Sequence, residues 1–192
     1  MADDDPYVYP GTSVLRNHFG IRDAAELAGL EAAISAGRIA QLEREFIPGD
    51  YDTAHLQAVH RKIFGDLYPW AGELRAVKIA KDESMFALPQ HVAAYLAGVL
   101  SDLAGEDRLV GLERDDFVTR LTHYYAELNA VHPFREGNGR TQRAFLGHIA
   151  SDTGHPIDWT GLDPDRNIEA SRESHRGDNK PLEKLLDGLI AD

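Results

Sequence analysis

The chain has 192 residues, with 20 lysines and arginines against 32 aspartates and glutamates, which gives a formal net charge of −12. That length suits one domain with a substantial core, and the acidic balance argues against a protein that binds the nucleic-acid backbone, which requires an excess of cations on one face. The sequence contains no cysteine, so it has no disulfide framework and no thiol chemistry, and no apolar run approaches the length that spans a bilayer.

The start of the chain, residues 1–5, is acidic and lacks the apolar segment of a secretory signal, so we expect a cytoplasmic protein that does not bind membranes. The pattern that follows is helical almost throughout, and neither a repeat nor a linker divides it. We therefore predict an all-α protein in which residues 1–192 form a single domain with a core over about residues 50–160.

The first two predicted helices begin near a capping side chain. Residues 23–42 are rich in alanine, leucine and glutamate and predict the first helix, in which Gly29 and Gly37 mark expected interruptions. A second helix follows Asp52 or Thr53, because either side chain can accept a hydrogen bond from the first helical turn.

Two longer helical patterns precede the most polar part of the chain. One begins at about Gln90, and the next begins at Asp115 or Asp116 and carries an apolar stripe that runs up to His132. We expect both stripes to face the core. The last two predicted helices are shorter and follow Asp163 and Pro181.

One stretch has the pattern of a β-hairpin. Residues 73–80 alternate and carry the β-branched Val77 and Ile79, residues 81–84 predict a turn, and residues 85–88 predict a return strand. From the spacing alone, a hairpin packed on the core is the simpler interpretation.

Residues 132–143 combine a base, an acid, glycines, an amide and cations within one short segment. Pro133 disfavours the α region for the residue before it, so we expect His132 in extended geometry at the end of a helix. Gly137 and Gly139 lack a Cβ where a backbone turns tightly or approaches a ligand. A helix follows them, and its free amides and dipole favour an anion at its start.

Charged side chains give this segment its predicted chemistry. Arg140 and Arg143 lie three residues apart, so they share a helical face and can contact neighbouring phosphates. Glu136 is a lone carboxylate among cations, which suits a Mg²⁺ ion bound together with substrate phosphates. His132 is a natural base because the ordinary pKa of histidine is about 6.5. Phe134 is interpreted as a core anchor. Each feature alone is usually structural, but together they predict a phosphate site beside a reactive histidine.

The segment resembles the signature of the Fic family, His-x-Phe-x-(Asp/Glu)-Gly-Asn-(Gly/Lys)-Arg-x-x-Arg, at every fixed position. Residues 5–12 and 68–75 also look like segments of bacterial Fic domains, so the resemblance covers most of the chain. It implies an all-α Fic-type domain with a small β-hairpin flap, about residues 74–88, over the active site. It also implies that AMP is transferred from ATP to a hydroxyl side chain of a target protein.

The resemblance also implies a role for each matched residue. His132 would be the catalytic general base, and Glu136 would bind the Mg²⁺ ion. ATP would be bound by Gly137, Asn138, Gly139, Arg140 and Arg143. The flap would add the target protein as a further strand. The residues that would dock the target are Val77, Lys78, Ile79 and Ala80.

Many members of the family carry an inhibitory helix with Ser/Thr-x-x-x-Glu-Gly/Asn, whose glutamate pairs with the second motif arginine. In this chain no serine or threonine is followed four residues later by glutamate. The resemblance then points to a toxin-like enzyme that is restrained by a small helical antitoxin, which supplies the glutamate to Arg143. It also leaves open delivery of the protein into another cell.

Other activities remain open at this stage. One branch of the family, of the Doc type, transfers the γ-phosphate and typically has lysine where this chain has Gly139, so Gly139 favours nucleotidyl transfer. Transfer of another nucleotide or of phosphocholine, and a protein-binding module with an inactive site, are the further alternatives.

Overall fold

The computed structural model describes residues 5–81 and 84–191. Within these residues the chain forms seven α-helices and one small antiparallel pair of strands. In chain order the elements are α1 (Ala24–Arg44), α2 (Thr53–Phe64), β1 (Ala80–Lys81), β2 (Ser84–Met85), α3 (Pro89–Gly105), α4 (Arg114–Val131), α5 (Asn138–Asp152), α6 (Pro164–His175) and α7 (Lys180–Asp187). The expectation of an all-α architecture is confirmed. No helix in the described part of the chain has the length and apolar character needed to cross a membrane.

The helix α1 runs without interruption through Gly29 and Gly37, so the predicted breaks are wrong. A glycine inside a helix costs about 1 kcal/mol relative to alanine. This cost is outweighed because Asp23 caps the helix by accepting a hydrogen bond from the N–H of Glu26 at 2.8 Å, and because α1 packs on α2 and α5. Leu42 is among the side chains that this packing buries. Tertiary contacts therefore decide the length of α1.

The other helices agree with the sequence pattern. Asp52 caps α2, and the last residue of α2 precedes Gly65. Helix α6 begins one residue after Asp163. Helix α7 begins one residue before Pro181. All the apolar positions predicted for α3 and α4 are buried, namely Val92, Leu96, Val99, Leu100, Leu103, Phe117, Val118, Leu121, Tyr125 and Leu128.

Helix α5 packs on α1, α2 and α4, while α6 and α7 pack on each other and on α4. The buried side chains of the described residues form one hydrophobic cluster. It reaches beyond the predicted core range, to Tyr7 on one side and Ile190 on the other. The segment from residue 132 to the start of α5 connects α4 to α5, so both of its ends are held by packed helices.

The predicted hairpin is much shorter than its sequence pattern. Among the described residues of this stretch, Ala80 pairs with Met85 and Lys81 with Ser84, and residues 73–79 and 86–88 lie outside these strands. The middle of the predicted turn, residues 82 and 83, lies outside the described residues. Arg75, which lies in the first half of the predicted hairpin, bonds to the end of α4 and not to a partner strand, as described below.

The two outlying segments that resemble Fic domains lie against each other. Tyr7 packs edge-on against Trp70 with ring centroids 5.4 Å apart, and its hydroxyl accepts a hydrogen bond from the N–H of Ala76 at 3.1 Å. Asp5 accepts two hydrogen bonds from the guanidinium of Arg135, at 2.9 and 3.0 Å. The beginning of the chain therefore supports both the base of the hairpin and the segment after His132.

Candidate active site

The candidate site begins at His132, which ends α4 in a left-handed conformation with φ 48° and ψ 63°. The extended geometry predicted for it is therefore wrong. Its N–H still donates to the carbonyl of Leu128 at 3.0 Å, and the left-handed conformation turns the chain out of the helix directly after that bond. The imidazole stacks on the ring of Phe86, with centroids 3.8 Å apart and planes 15° apart.

A buried arginine fixes the backbone around His132. The guanidinium of Arg75 donates to the carbonyls of His132 at 2.7 Å and Val131 at 3.2 Å. It also donates to the carbonyls of Val77 at 2.8 Å and Ala87 at 2.5 Å, one on each side of the hairpin. A cation at this position complements the negative end of the α4 dipole. Arg75 thus joins the base of the hairpin to the end of α4.

The segment that follows His132 is closed by the side chain of Asn138. The amide oxygen accepts a hydrogen bond from the N–H of Phe134 at 2.8 Å, and the amide nitrogen donates to the carbonyl of Phe134 at 2.7 Å. Asn138 is buried, and Phe134 is a core residue as predicted. Because both ends of the amide bind the segment itself, a contact from Asn138 to phosphate would come from its backbone N–H.

His60 of α2 also binds the segment that follows His132. Its Nδ1 accepts a hydrogen bond from the N–H of Gly72 at 2.8 Å, so its Nε2–H donates to the carbonyl of Glu136 at 3.0 Å. The ring stacks on Phe134 at 3.9 Å. Complete burial lowers the pKa of His60 to about 4, which keeps this tautomer neutral. Sequence reasoning gave His60 no role, because the carbonyl that it binds lies 76 residues further along the chain.

Gly137 occupies the position before α5 and has φ 80°, a left-handed conformation. A Cβ at this residue would lie 2.3 Å from the ring of Phe64, so both the backbone and the neighbouring ring require glycine. No side chain caps α5. Its first turn therefore begins with main-chain N–H groups, as expected for an anion-binding helix start.

The charged side chains of the segment already interact with one another. The carboxylate of Glu136 accepts a hydrogen bond from the N–H of Gly137 at 2.8 Å and lies 3.5 Å from the guanidinium of Arg140. Arg140 also binds Glu31 at 2.5 Å and Ser35 at 2.9 Å, both from α1. The sequence gave no sign that α1 contributes to this site.

Arg143 lies between two clefts. The first, the histidine cleft, has a volume of about 240 Å³ and is lined by His132, Gly139, Arg143, Phe86 and residues of α6. The second, the tryptophan cleft, has a volume of about 370 Å³ and is lined by both motif arginines and largely apolar side chains around Trp159. The residues that α6 adds to the histidine cleft are Asn167, Ile168, Ser171, Arg172 and His175. The sequence gives no sign of this contribution, since nothing in the pattern of α6 relates it to a segment about 30 residues earlier.

Comparison with known proteins identifies the fold and the segment together. A model described as the Fic/DOC family matches residues 50–150. The chain belongs to the Fic/DOC family. It is 41% identical over 185 residues to the protein adenylyltransferase VbhT of Bartonella schoenbuchensis, covering 96% of this chain and 39% of VbhT. It is 40% identical over 191 residues to the probable protein adenylyltransferase y4lH of Sinorhizobium fredii, covering 98% and 97%.

A solved structure agrees with this assignment. The crystal structure of BepC, a VirB-translocated effector protein of Bartonella tribocorum with bound AMPPNP, superimposes with a TM-score of 0.89 and 25% sequence identity over 96% of each chain. The resemblance stated from the sequence is confirmed. This Fic/DOC chain spans 39% of the length of VbhT but nearly all of y4lH.

Within this Fic/DOC domain, the structure brings most of the predicted site residues together. His132, Gly139 and Arg143 line one cleft, and Glu136 contacts Arg140. The hairpin residues join the site through the backbone: the carbonyl of Val77 is bound by Arg75, Lys78 is exposed and Ile79 is partly buried. The described residues contain no group of three or more histidine and acidic side chains placed to bind a metal ion. A single carboxylate near a phosphate site still suits Mg²⁺, which typically keeps several waters.

Proposed function

We propose that this Fic/DOC domain is a protein adenylyltransferase, which moves AMP from ATP to a hydroxyl side chain of a target protein. The observation that carries the proposal is the histidine cleft, where an imidazole held at the end of α4 faces the same space as Arg143 and the start of α5. The names of VbhT and y4lH and the AMPPNP bound to BepC support it.

In the proposed reaction, His132 removes the proton from the target hydroxyl while the hydroxyl oxygen attacks the α-phosphorus of ATP. The bond between the α-phosphorus and the bridging oxygen breaks, and pyrophosphate leaves with that oxygen. General-base catalysis of this kind contributes about 10²- to 10⁴-fold in rate. The stacking on Phe86 and the bonds from Arg75 support this role, because they restrict where the imidazole can lie.

The phosphates would be bound by main-chain N–H groups and by the two arginines. Gly137, Asn138 and Gly139 contribute backbone donors at the start of α5, Arg140 binds the β-phosphate and Arg143 binds the γ-phosphate. The position of this segment at an uncapped helix start supports the assignment, since such a start favours anions. The contact proposed between Arg143 and the γ-phosphate is supported by the position of Arg143, which lines both clefts.

Glu136 is the residue that would bind Mg²⁺. Its carboxylate lies at the entrance of α5 beside Arg140, where one oxygen ligand from the protein and others from phosphates and water fit the needs of this ion. Mg²⁺ held by Glu136 would supply positive charge that offsets the charge of the phosphates.

The target would dock along the flap, residues 74–88, through Val77, Lys78, Ile79 and Ala80. Residues 77–79 lie outside the described strands and end next to β1, so they can extend the short hairpin as an edge for a target segment. The bonds of Arg75 support this part of the proposal. They connect the carbonyl of Val77 to that of His132, which keeps the docking segment near the base.

Restraint by a separate antitoxin is the regulatory part of the proposal. Glu31, the glutamate of α1 near the motif, pairs with Arg140, whereas the inhibitory glutamate implied by the resemblance pairs with Arg143. A helix from a second chain that entered the tryptophan cleft would reach Arg143 along its apolar wall. We propose action in the cytoplasm. The alternative is delivery into another cell, which the translocation of BepC supports.

The test is incubation with a bacterial lysate and ATP labelled at either the α- or the γ-phosphate, with the His132→Ala variant as control. Label on protein from the α position only, lost in the variant, supports AMP transfer. Label from the γ position only supports the phosphotransferase of the Doc type, which Gly139 disfavours. Absence of protein label from either position contradicts both activities and favours a binding module.

A further inference from the structure

The helix α1 lies outside the segment that matches the family model, yet it reaches the motif. We propose that Glu31 and Ser35 of α1 form a clamp that positions Arg140 for the β-phosphate of the nucleotide. The inference rests on the proposed function, because it takes Arg140 as a phosphate ligand. Glu31 and Ser35 are positioning residues, since they act through Arg140.

The clamp is formed by two side chains one helical turn apart. Nη2 of Arg140 donates to Oε1 of Glu31 at 2.5 Å, and Nη1 donates to Oγ of Ser35 at 2.9 Å. Residues four apart lie on one face of a helix, so both bonds come from the same side of α1. The side chains of Glu31 and Arg140 are 15% and 25% exposed, which shields this pair more than an ordinary surface ion pair.

Glu31 is itself held in place by the core. Its second carboxylate oxygen accepts a hydrogen bond from the hydroxyl of Tyr68, and the Tyr68 ring stacks on Trp70 with centroids 4.5 Å apart. Burial, followed by the bond to Glu31, raises the pKa of Tyr68, so its hydroxyl remains a donor. A carboxylate anchored in this way cannot follow Arg140 if the arginine moves.

Arg140 is supported from a third direction by the ring of Phe64, which lies 4.7 Å from the guanidinium carbon. The clamp uses two of the five N–H donors of the guanidinium. Because the guanidinium is planar, fixing one edge also fixes the direction of the other donors. The arrangement therefore prepares Arg140 for a second anion.

Glu31 has two opposing effects on phosphate binding by Arg140. A substitution at Ser35 shows which of the two is larger. The negative charge of Glu31 weakens phosphate binding by Arg140, whereas its orienting bond strengthens it. Ser35 orients Arg140 without any charge. If orientation dominates, loss of either residue weakens binding; if charge dominates, loss of Glu31 strengthens it and loss of Ser35 changes little.

The experiment compares ADP and AMP binding by calorimetry in the presence of Mg²⁺, because only ADP carries a β-phosphate. The variants are Glu31→Gln and Ser35→Ala, with Glu26→Gln as a matched control on an exposed position of the same helix. We expect the affinity for ADP to fall about 5- to 10-fold in both variants, which is about the net contribution of one hydrogen bond. The affinity for AMP and the melting temperature stay within the range of the control.

Three results would overturn the clamp. Tighter ADP binding in Glu31→Gln with an unchanged Ser35→Ala identifies a charge restraint, and an equal loss of ADP and AMP affinity identifies general damage. Unchanged ADP affinity in both variants also rejects it. A wild-type domain that binds ADP but transfers no AMP contradicts the proposed function while leaving this comparison valid, and one that binds neither nucleotide contradicts both.

Discussion

The catalytic segment, residues 132–143, and the flap, residues 74–88, differ in how the fold holds them. The segment is bonded by buried side chains from α2 and α5 and by Arg75, whereas in the described part of the flap two residues are paired in each strand. Each buried hydrogen bond contributes about 0.5–1.5 kcal/mol. The groups proposed for chemistry are thus held more firmly than the edge proposed for target binding.

This difference suits the two tasks. Positioning a base and a triphosphate gains most from fixed geometry. Addition of a target strand needs an edge that can accept a new partner, and the partner itself adds backbone hydrogen bonds to the short hairpin. Arg75 connects the two regions, so the flap is lightly paired but attached to the end of α4.

The largest expected effect comes from His132→Ala in the catalytic segment. Removal of the proposed base should lower AMP transfer by about 10²- to 10⁴-fold, while affinity for ATP stays near that of the wild type. Transfer rates and nucleotide calorimetry on the same samples measure both. A parallel loss of ATP affinity would contradict the assignment of His132 as the base.

Gly137→Ala tests how tightly the segment is packed. The new methyl group would meet Phe64 at 2.3 Å in a residue with φ 80°, so we expect the free energy of unfolding to fall by about 2–4 kcal/mol. Gly111→Ala is the matched control, because Gly111 has φ 77° and nothing within 4 Å of an added Cβ. That control should lose only about 1 kcal/mol from backbone strain. Equal losses in denaturant titrations would remove the packing argument.

The pH dependence of stability tests the support from His60. Its pKa is about 4 in the folded protein and about 6.5 in the unfolded chain, so the unfolded chain binds more protons between these values. Stability is therefore full above pH 6.5 and falls as the pH drops to 4, by about 3 kcal/mol for this residue. His148, whose pKa burial also lowers to about 4, adds to the decline.

The control for that experiment is His60→Gln, which removes one titrating group. Unfolding free energies of both proteins, measured from pH 7.5 to pH 4, should show a shallower slope for the variant. Identical slopes would mean that His60 is not buried in its neutral form.

Ile79→Pro is expected to have the smallest effect, because the flap is the more lightly held region. Proline removes the N–H donor that a docked target strand would use, so target modification should fall about 3- to 10-fold while ATP affinity is retained. Ile79→Ala keeps the N–H and serves as the control. If proline lowers ATP affinity as much as target modification, residues 77–80 do not form a docking edge.

The sequence alone determined which segments are helical and which residues form the motif. Apolar patterns and capping or breaking residues together located α2 to α7, and the 3.6-residue repeat shows which face of a helix is buried. The motif predicted a phosphate site and the family, because each residue type in it has few chemical uses in that order. Periodicity does not show what a buried face packs against. For this reason the predicted breaks in α1 and the predicted length of the hairpin are wrong.

Tertiary structure decided the rest. Packing on α2 and α5 carried α1 through Gly29 and Gly37, and Arg75 donates to the carbonyls of Val77 and Ala87, which lie outside the short strands. No local sequence pattern predicted the left-handed end of α4 at His132. The same is true of the contact between Glu31 and Arg140. Contacts between residues far apart in sequence form only when the helices pack. Their energies therefore cannot be inferred from a short stretch of sequence.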